Sequence, residues 1–395
     1  MGNFDRRVVA LVAAGALVGA VGAAWAADEH CPPRCASGKV PLGVSAPTSG
    51  PPSIFGQQTV KAAELVVRHI NAAGGLLGVP VELVVADDRC DPGQSVSVAA
   101  RHVERDKIGF VIGPTCPAAA IAAAPVYAKA GVVQFVPTVT ASELTRSHPD
   151  TIFRIAATDE QEAQALGSYL EREHSGRKIA VVYTDIFYRR NVAKMVEAAL
   201  PRELKASARF EPLLDTSGAY DRLADKLKRD PPDVIYMALD SEPVVEFVRK
   251  LRERGVKSLL IGGQHLLSQS FWIAARKHAE GINVIAPIRS VTSMAFRKTV
   301  DELRQAQVVP DLVALNSYAA VQTFAEAVRR AGGGDPKKVV AALRSGEFDT
   351  AVGPVAFDRQ GDRRGICYSL LTWEGGRLVA GAAWREQAQD CALQQ

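Results

Sequence analysis

The sequence predicts an α/β protein of two lobes, each a parallel sheet flanked by helices, and three observations carry that expectation. Strand and helix patterns alternate almost without interruption from residue 40 to 286, and repeated βα units build parallel sheets through right-handed crossovers. The chain has 395 residues, 47% hydrophobic and 23% charged, enough for two cores and too long for one ordinary domain. In residues 108–145 two short apolar strands each run into a loop of small and hydroxyl residues. Such loops, at the carboxyl ends of parallel strands and beside helix N-termini with free N–H groups, bind small molecules.

The elements follow in order. Residues 40–45 read as a strand, and apolar residues at helical spacing make 54–73 a helix that Gly74-Gly75 stop. A strand over 81–86 and a helix over 94–105 come next. Residues 108–112 form a β-branched run closed by Gly113-Pro114, 118–129 an Ala-rich helix, and 132–136 a second buried strand ending at Pro137-Thr138-Val139-Thr140. After 153–156 the pattern restarts. Helices are expected over 159–174, 191–200, 220–229, 242–254 and 267–277, with strands over 178–183, around Arg209, and over 234–238, 258–261 and 282–286. Helices dominate 293–344, and strands follow near Val355 and over 368–373. Two series of βα units and a return predict a cleft between lobes.

The formal net charge of +4 is small for this length, and Lys and Arg are scattered among Asp and Glu. That argues against nucleic acid as a partner. At the N-terminus Arg6-Arg7 precede an apolar run over 8–24, and Ala24-Trp25-Ala26 places small residues where signal peptidase needs them. Residues 1–26 are therefore expected to be a signal peptide cleaved near Ala26, leaving a protein of the periplasm that is not inserted in the membrane. Later apolar runs are too short to span a bilayer.

Six cysteines in an exported chain are expected to be mostly paired. Cys90 and Cys116 each follow a strand, and neighbouring strand ends can bring them together. For Cys31, Cys35, Cys367 and Cys391 the sequence leaves two patterns open: local pairs, or cross-pairing of the termini. His30 with Cys31 and Cys35 offers too few ligands for a metal centre, so neither metal nor cofactor is expected. Nor is catalysis. The seven histidines lack ligand spacing, no nucleophile or phosphate-loop motif is present, and the Asp87-Asp88 pair sits in a loop beside Cys90.

The segment VPLGVSAPTSGPPSIFGQQTVKAAELVVRHINAAGGLLGVPVELVVADDRCDP resembles the opening of the periplasmic leucine/isoleucine/valine-binding proteins, the type I substrate-binding components of ATP-binding-cassette (ABC) importers. VIGPTC, APVYAKAGV, TASELT and FDRQGDRRG are similar to later landmarks of that family, in the same order, so the likeness spans 39–373. It implies a two-lobed Venus-flytrap fold with three interlobe crossovers that closes on a small-molecule ligand by hinge motion. Lobe one would comprise 37–156 and 288–360, lobe two 157–287 and 361–395. It also supports a Cys90–Cys116 bridge, and implies a monomer that hands its solute to an inner-membrane ABC permease.

Carried over residue by residue, the resemblance implies a ligand site. Phe55 falls on an aromatic position that lies against the ligand, or else is a core residue at a helix start. Thr138 and Thr140 match the strand-end loop that binds the ligand's amino and carboxylate groups, and Tyr188 the lobe-two tyrosine that closes over it. Pro117 and Ala118 follow the second cysteine, where the family has a serine offering both hydroxyl and N–H. Pro117 has neither donor. Gln264 takes the place of a glutamate that balances the ligand's ammonium, with His265 beside it. Asp240, where a tyrosine is common, either supplies a replacement carboxylate or caps the helix over 242–254. The expected function is a solute-binding protein of the branched-chain amino acid type. Capture of a small amide, carboxylate or aromatic acid, and an extracytoplasmic sensor role, stand as alternatives.

Overall fold

A computed structural model of the chain describes residues 38–214, 216–287 and 294–380. The segment 1–26 and Cys31, Cys35 and Cys391 lie outside these residues.

The first sheet is parallel throughout. It contains β1 (Val40–Ala46), β2 (Val81–Asp87), β3 (Phe110–Ile112), β4 (Val133–Val136) and β5 (Ile152–Arg154) in the order β2-β1-β3-β4-β5. Between them run α1 (Ser53–Ala72), α2 (Pro92–Glu104), α3 (Pro117–Lys129) and the short α4 (Glu143–Ser147). Because side chains alternate along a strand, each strand serves two cores. Leu42, Val44, Phe110, Ile112, Phe135 and Phe153 face α1, whereas Val111 faces Ala123 and Tyr127 of α3 on the other side.

The second sheet repeats the design. β6 (Ile179–Thr184), β7 (Ala208–Leu213), β8 (Val234–Ala238), β9 (Leu259–Gly262) and β10 (Asn283–Ala286) pair in parallel, in the order β10-β9-β8-β6-β7. The intervening helices are α5 (Asp159–His174), α6 (Phe187–Ala199), α7 (Arg202–Ser207), α8 (Ala219–Arg229), α9 (Ser241–Glu253) and α10 (Gln269–Ala275). Alternation again divides the faces, with Ala180, Val182, Ile235 and Met237 in one core and Ile179, Val181, Val234 and Tyr236 in the other.

The chain then returns. α11 (Met294–Gln305), α12 (Leu312–Ala331) and α13 (Pro336–Ser345) follow, and α12 joins the first core, where the Phe324 ring lies tilted 5.1 Å from Phe110 and edge-on 6.1 Å from Phe135. A small antiparallel sheet of β11 (Glu347–Thr350), β12 (Gly353–Phe357) and β13 (Arg363–Arg364) packs beside β5 through Phe357 and Phe153, 5.1 Å apart. Two differences from the sequence reading concern the second sheet. β14 (Ser369–Glu374) joins β10 antiparallel, and β15 (Arg377–Ala380) pairs with it at the edge across Gly375-Gly376, both at positive φ. Two glycines with positive φ are what a tight hairpin turn demands. The expected helix over 267–277 is divided, because Ser268 caps α10 by accepting the Phe271 N–H (3.2 Å) and Arg276 adopts φ +49°.

Candidate functional site

A cavity of about 270 Å³ opens where the carboxyl ends of both sheets meet. From the first sheet it takes the loop after β4, with the starts of α1 and α12 behind it. From the second it takes the starts of α5 and α6 and the turn after β9.

The first wall is held by main-chain bonds and one buried arginine. Phe55 stands at the rim, 49% exposed, on a helix start that packs so closely against β1's outgoing loop that a Cβ on Gly56 would lie 1.8 Å from the Pro47 carbonyl oxygen. Thr138 donates its hydroxyl to the Thr115 carbonyl at 2.7 Å, and Asn316 of α12 donates to the Pro137 carbonyl at 3.0 Å. Behind the loop Arg154, fully buried, donates to the carbonyls of Val139 (2.9 Å) and Ala141 (2.7 Å), to the Thr145 hydroxyl (2.8 Å) and to Asp362 (2.8 Å). An arginine with its donors so placed fixes the loop's shape.

The Cys90–Cys116 bridge is present, with Cα atoms 5.4 Å apart. The two strands it follows are not adjacent: β2 and β3 flank β1. Strands two apart stand roughly 10 Å from each other, so the loops converge over the end of β1 to make the bond. Pro117 and Ala118, just after it, are exposed in the first turn of α3 and are not among the lining residues.

The second wall carries charge. α5 opens with a reciprocal capping box, the Gln161 N–H donating to the Thr158 hydroxyl (3.1 Å) and the Thr158 N–H to the Gln161 side chain (2.8 Å). The helix presents Asp159 and Glu162 to the cavity. Tyr188 of α6 donates to both Asp159 oxygens (3.1 and 2.9 Å) and shares a 2.9 Å hydrogen bond with Thr140, so it joins the two walls. Glu162 accepts from the Tyr236 hydroxyl (3.0 Å) and the Gln264 N–H (3.2 Å). Burial, then the charge of nearby Asp159, pushes the Glu162 carboxyl up to about 7, and burial also raises Asp159. His265 lines the cavity with its pKa lowered to about 3, by burial first and then by Arg189.

Arg189, also on the wall, donates from Nε to Asp240 at 2.8 Å. Asp240 occupies the N-cap position of α9 but makes no capping bond there, and it does not line the cavity. Of the residues singled out from the sequence, Phe55, Thr138, Thr140, Tyr188, Gln264 and His265 are thus brought together at the cavity, and Pro117, Ala118 and Asp240 are not. Asp159, Glu162 and Arg189 escaped the sequence reading. A signal for the two acids existed, because 159, 162, 163, 166 and 170 share one helical face and the last three are Ala and Leu.

Among the described residues no helix is long and apolar enough to cross a membrane, and no cluster of His, Cys, Asp and Glu could hold a metal ion.

Residues 39–377 match the family described as "Periplasmic binding protein". Leu/Ile/Val-binding protein homolog 3 of Brucella melitensis is 28% identical over 342 residues, covering 86% of this chain and 93% of that protein. Among solved structures, an ABC transporter substrate-binding protein from Desulfitobacterium hafniense in complex with Leu superposes with a TM-score of 0.74 at 26% identity, covering 87% of this chain and 100% of that one. A solute-binding protein of an ABC transporter from R. palustris, in complex with benzoate, shares the fold at 20% identity, with a TM-score of 0.74 over 87% of this chain and 95% of that one.

Proposed function

Since this chain belongs to the Leu/Ile/Val-binding protein family of periplasmic binding proteins, we propose that it is the solute-binding component of an ABC importer of the branched-chain amino acid type. Its lobes, 37–156 with 288–360 and 157–287 with 361–395, close by hinge motion on a small solute and present it to an inner-membrane permease. The observation that carries this reading is the cavity's place at the carboxyl ends of both parallel sheets, with both contributing walls. Phe55, Thr138, Thr140, Tyr188 and Gln264 contact the solute, and Asp240 sets the position of Arg189 from outside. The protein binds without catalysing, acts as a monomer, and works in the periplasm after removal of 1–26.

A second reading is favoured by Gln264, which lines the cavity where the family has a glutamate. A neutral amide there weakens recognition of an ammonium, so the same cavity would suit a solute that is not an α-amino acid, such as an aromatic acid.

A thermal-shift screen of the mature protein against amino acids, amides, short carboxylates and aromatic acids tests the proposal. A solute at 100 times its dissociation constant adds about 2.7 kcal/mol of stability, a shift easily seen. A flat response to every class would refute solute capture.

A further inference from the structure

The charge balance of the cavity carries the reading further. Three carboxylates line it, Asp159, Glu162 and Asp311, against one guanidinium, and that guanidinium is paired with Asp240. Asp311 is occupied at the start of α12, accepting the Ala314 N–H at 3.0 Å. Asp159 and Glu162 are different. Both are buried, the side chains that hydrogen-bond them as donors include the neutral hydroxyls of Tyr188 and Tyr236, and Arg189, whose charge favours both carboxylates, is shared with Asp240. Two adjacent carboxylates out of water are costly unless a cation faces them.

Their position is specific. Glu162 starts from a helix in a different part of the sequence, yet its Oε2 reaches the main-chain N–H of Gln264 at 3.2 Å. The approach is so close that a Cβ on Gly263 would lie 2.2 Å from Glu162 Oε1, so a larger residue in the turn after β9 would push the carboxylate from its place. A carboxylate has therefore been delivered to the point where Gln264 offers only an amide. An independent feature lies on the same wall: the His265 Nε2 is buried and has no hydrogen-bond partner in the structure. Held neutral, that ring adds no charge to oppose a cation.

We propose that Glu162, with Asp159 one turn before it, balances a protonated amine on the solute in place of a glutamate at 264, so that the cavity selects amine-bearing solutes over the corresponding plain acids. This rests on the reading of the cavity as a solute site. The amine docks against the start of α5, and Arg189 on α6, held through its Nε by Asp240, lines the same cavity.

The test is isothermal titration of the wild type and Glu162→Gln with matched pairs: L-leucine and 4-methylpentanoate, L-phenylalanine and 3-phenylpropanoate. The wild type is expected to bind an amine-bearing member and to bind its plain acid at least about 30-fold more weakly, and Glu162→Gln to lose most of that preference. A wild type that prefers the plain acids leaves solute capture intact and overturns this inference alone. So does an unchanged preference in Glu162→Gln. Binding of no member of either pair overturns it as well, and the broad screen then decides separately whether solute capture stands. Should Glu162→Gln fail to fold, titration of the wild type at pH 7 in buffers of different ionisation enthalpy serves instead: net proton release on amine binding supports the inference, and none overturns it.

Discussion

The two walls of the cavity are built on different principles. On the first-sheet side, polar side chains point back into the protein: Thr138 and Asn316 bond main-chain carbonyls, and Arg154 ties down the 139–145 loop from behind. What that wall shows a solute is a shaped surface. On the second-sheet side, Asp159, Glu162 and Arg189 bring charge to the cavity on helix starts. The contrast suggests how such a fold keeps its capture mechanism while its specificity changes, because the shaped wall depends on many main-chain bonds and the charged wall on a few replaceable side chains.

Breaking the shaped wall should cost most. Arg154→Met leaves Asp362 and two loop carbonyls without their buried partner, and unfolding in denaturant is expected to reveal a loss of about 3–5 kcal/mol. A loss within about 0.5 kcal/mol would mean that the loop holds its shape unaided. Reducing the Cys90–Cys116 bridge should lower stability by about 3 kcal/mol for a loop of this size, seen as a lower melting temperature in the presence of a reductant that leaves Cys90→Ser unaffected. Equal sensitivity of the variant would assign the effect to another cysteine.

The charged wall is sharpened by pH. The Glu162 carboxyl is raised from 4.5 to about 7 in the folded protein, so between those values the folded state holds a proton that the unfolded state has lost, and its contribution to stability falls as pH rises through that window. Relative to Glu162→Gln, the wild type should lose up to about 3 kcal/mol between pH 4.5 and 7 and change no further above it. Denaturant titrations at a series of pH values check this, and parallel curves for the two proteins would contradict it. Tyr188→Phe removes the hydroxyl that joins Thr140 to Asp159 across the walls. It is expected to cost about 1–2 kcal/mol in stability, the smallest of these effects.

Much of this was legible in the sequence, for identifiable reasons. α5 was expected over its observed residues, and the capping box and acidic first turn found at its start are written in the sequence there. The loop from Pro137 to Thr140 stood out because a buried strand ends abruptly in hydroxyl residues. The closing hairpin was missed although Gly375-Gly376 marks it, since repeated βα units favoured parallel pairing throughout. Asp159 and Glu162 were passed over because acids in a first helical turn ordinarily belong to solvent and the helix dipole, and only their phase with Ala163 and Leu166 betrays them. Arg189 gives no local sign at all: its position depends on Asp240, 51 residues away.

The central claim is that a small solute is captured between two lobes that close upon it. Solution scattering from the purified protein, with and without the solute that most raises its melting temperature, tests this directly. A radius of gyration that falls at saturation, with one solute bound per chain, is the predicted result. Saturable binding with an unchanged scattering curve would contradict capture by closure.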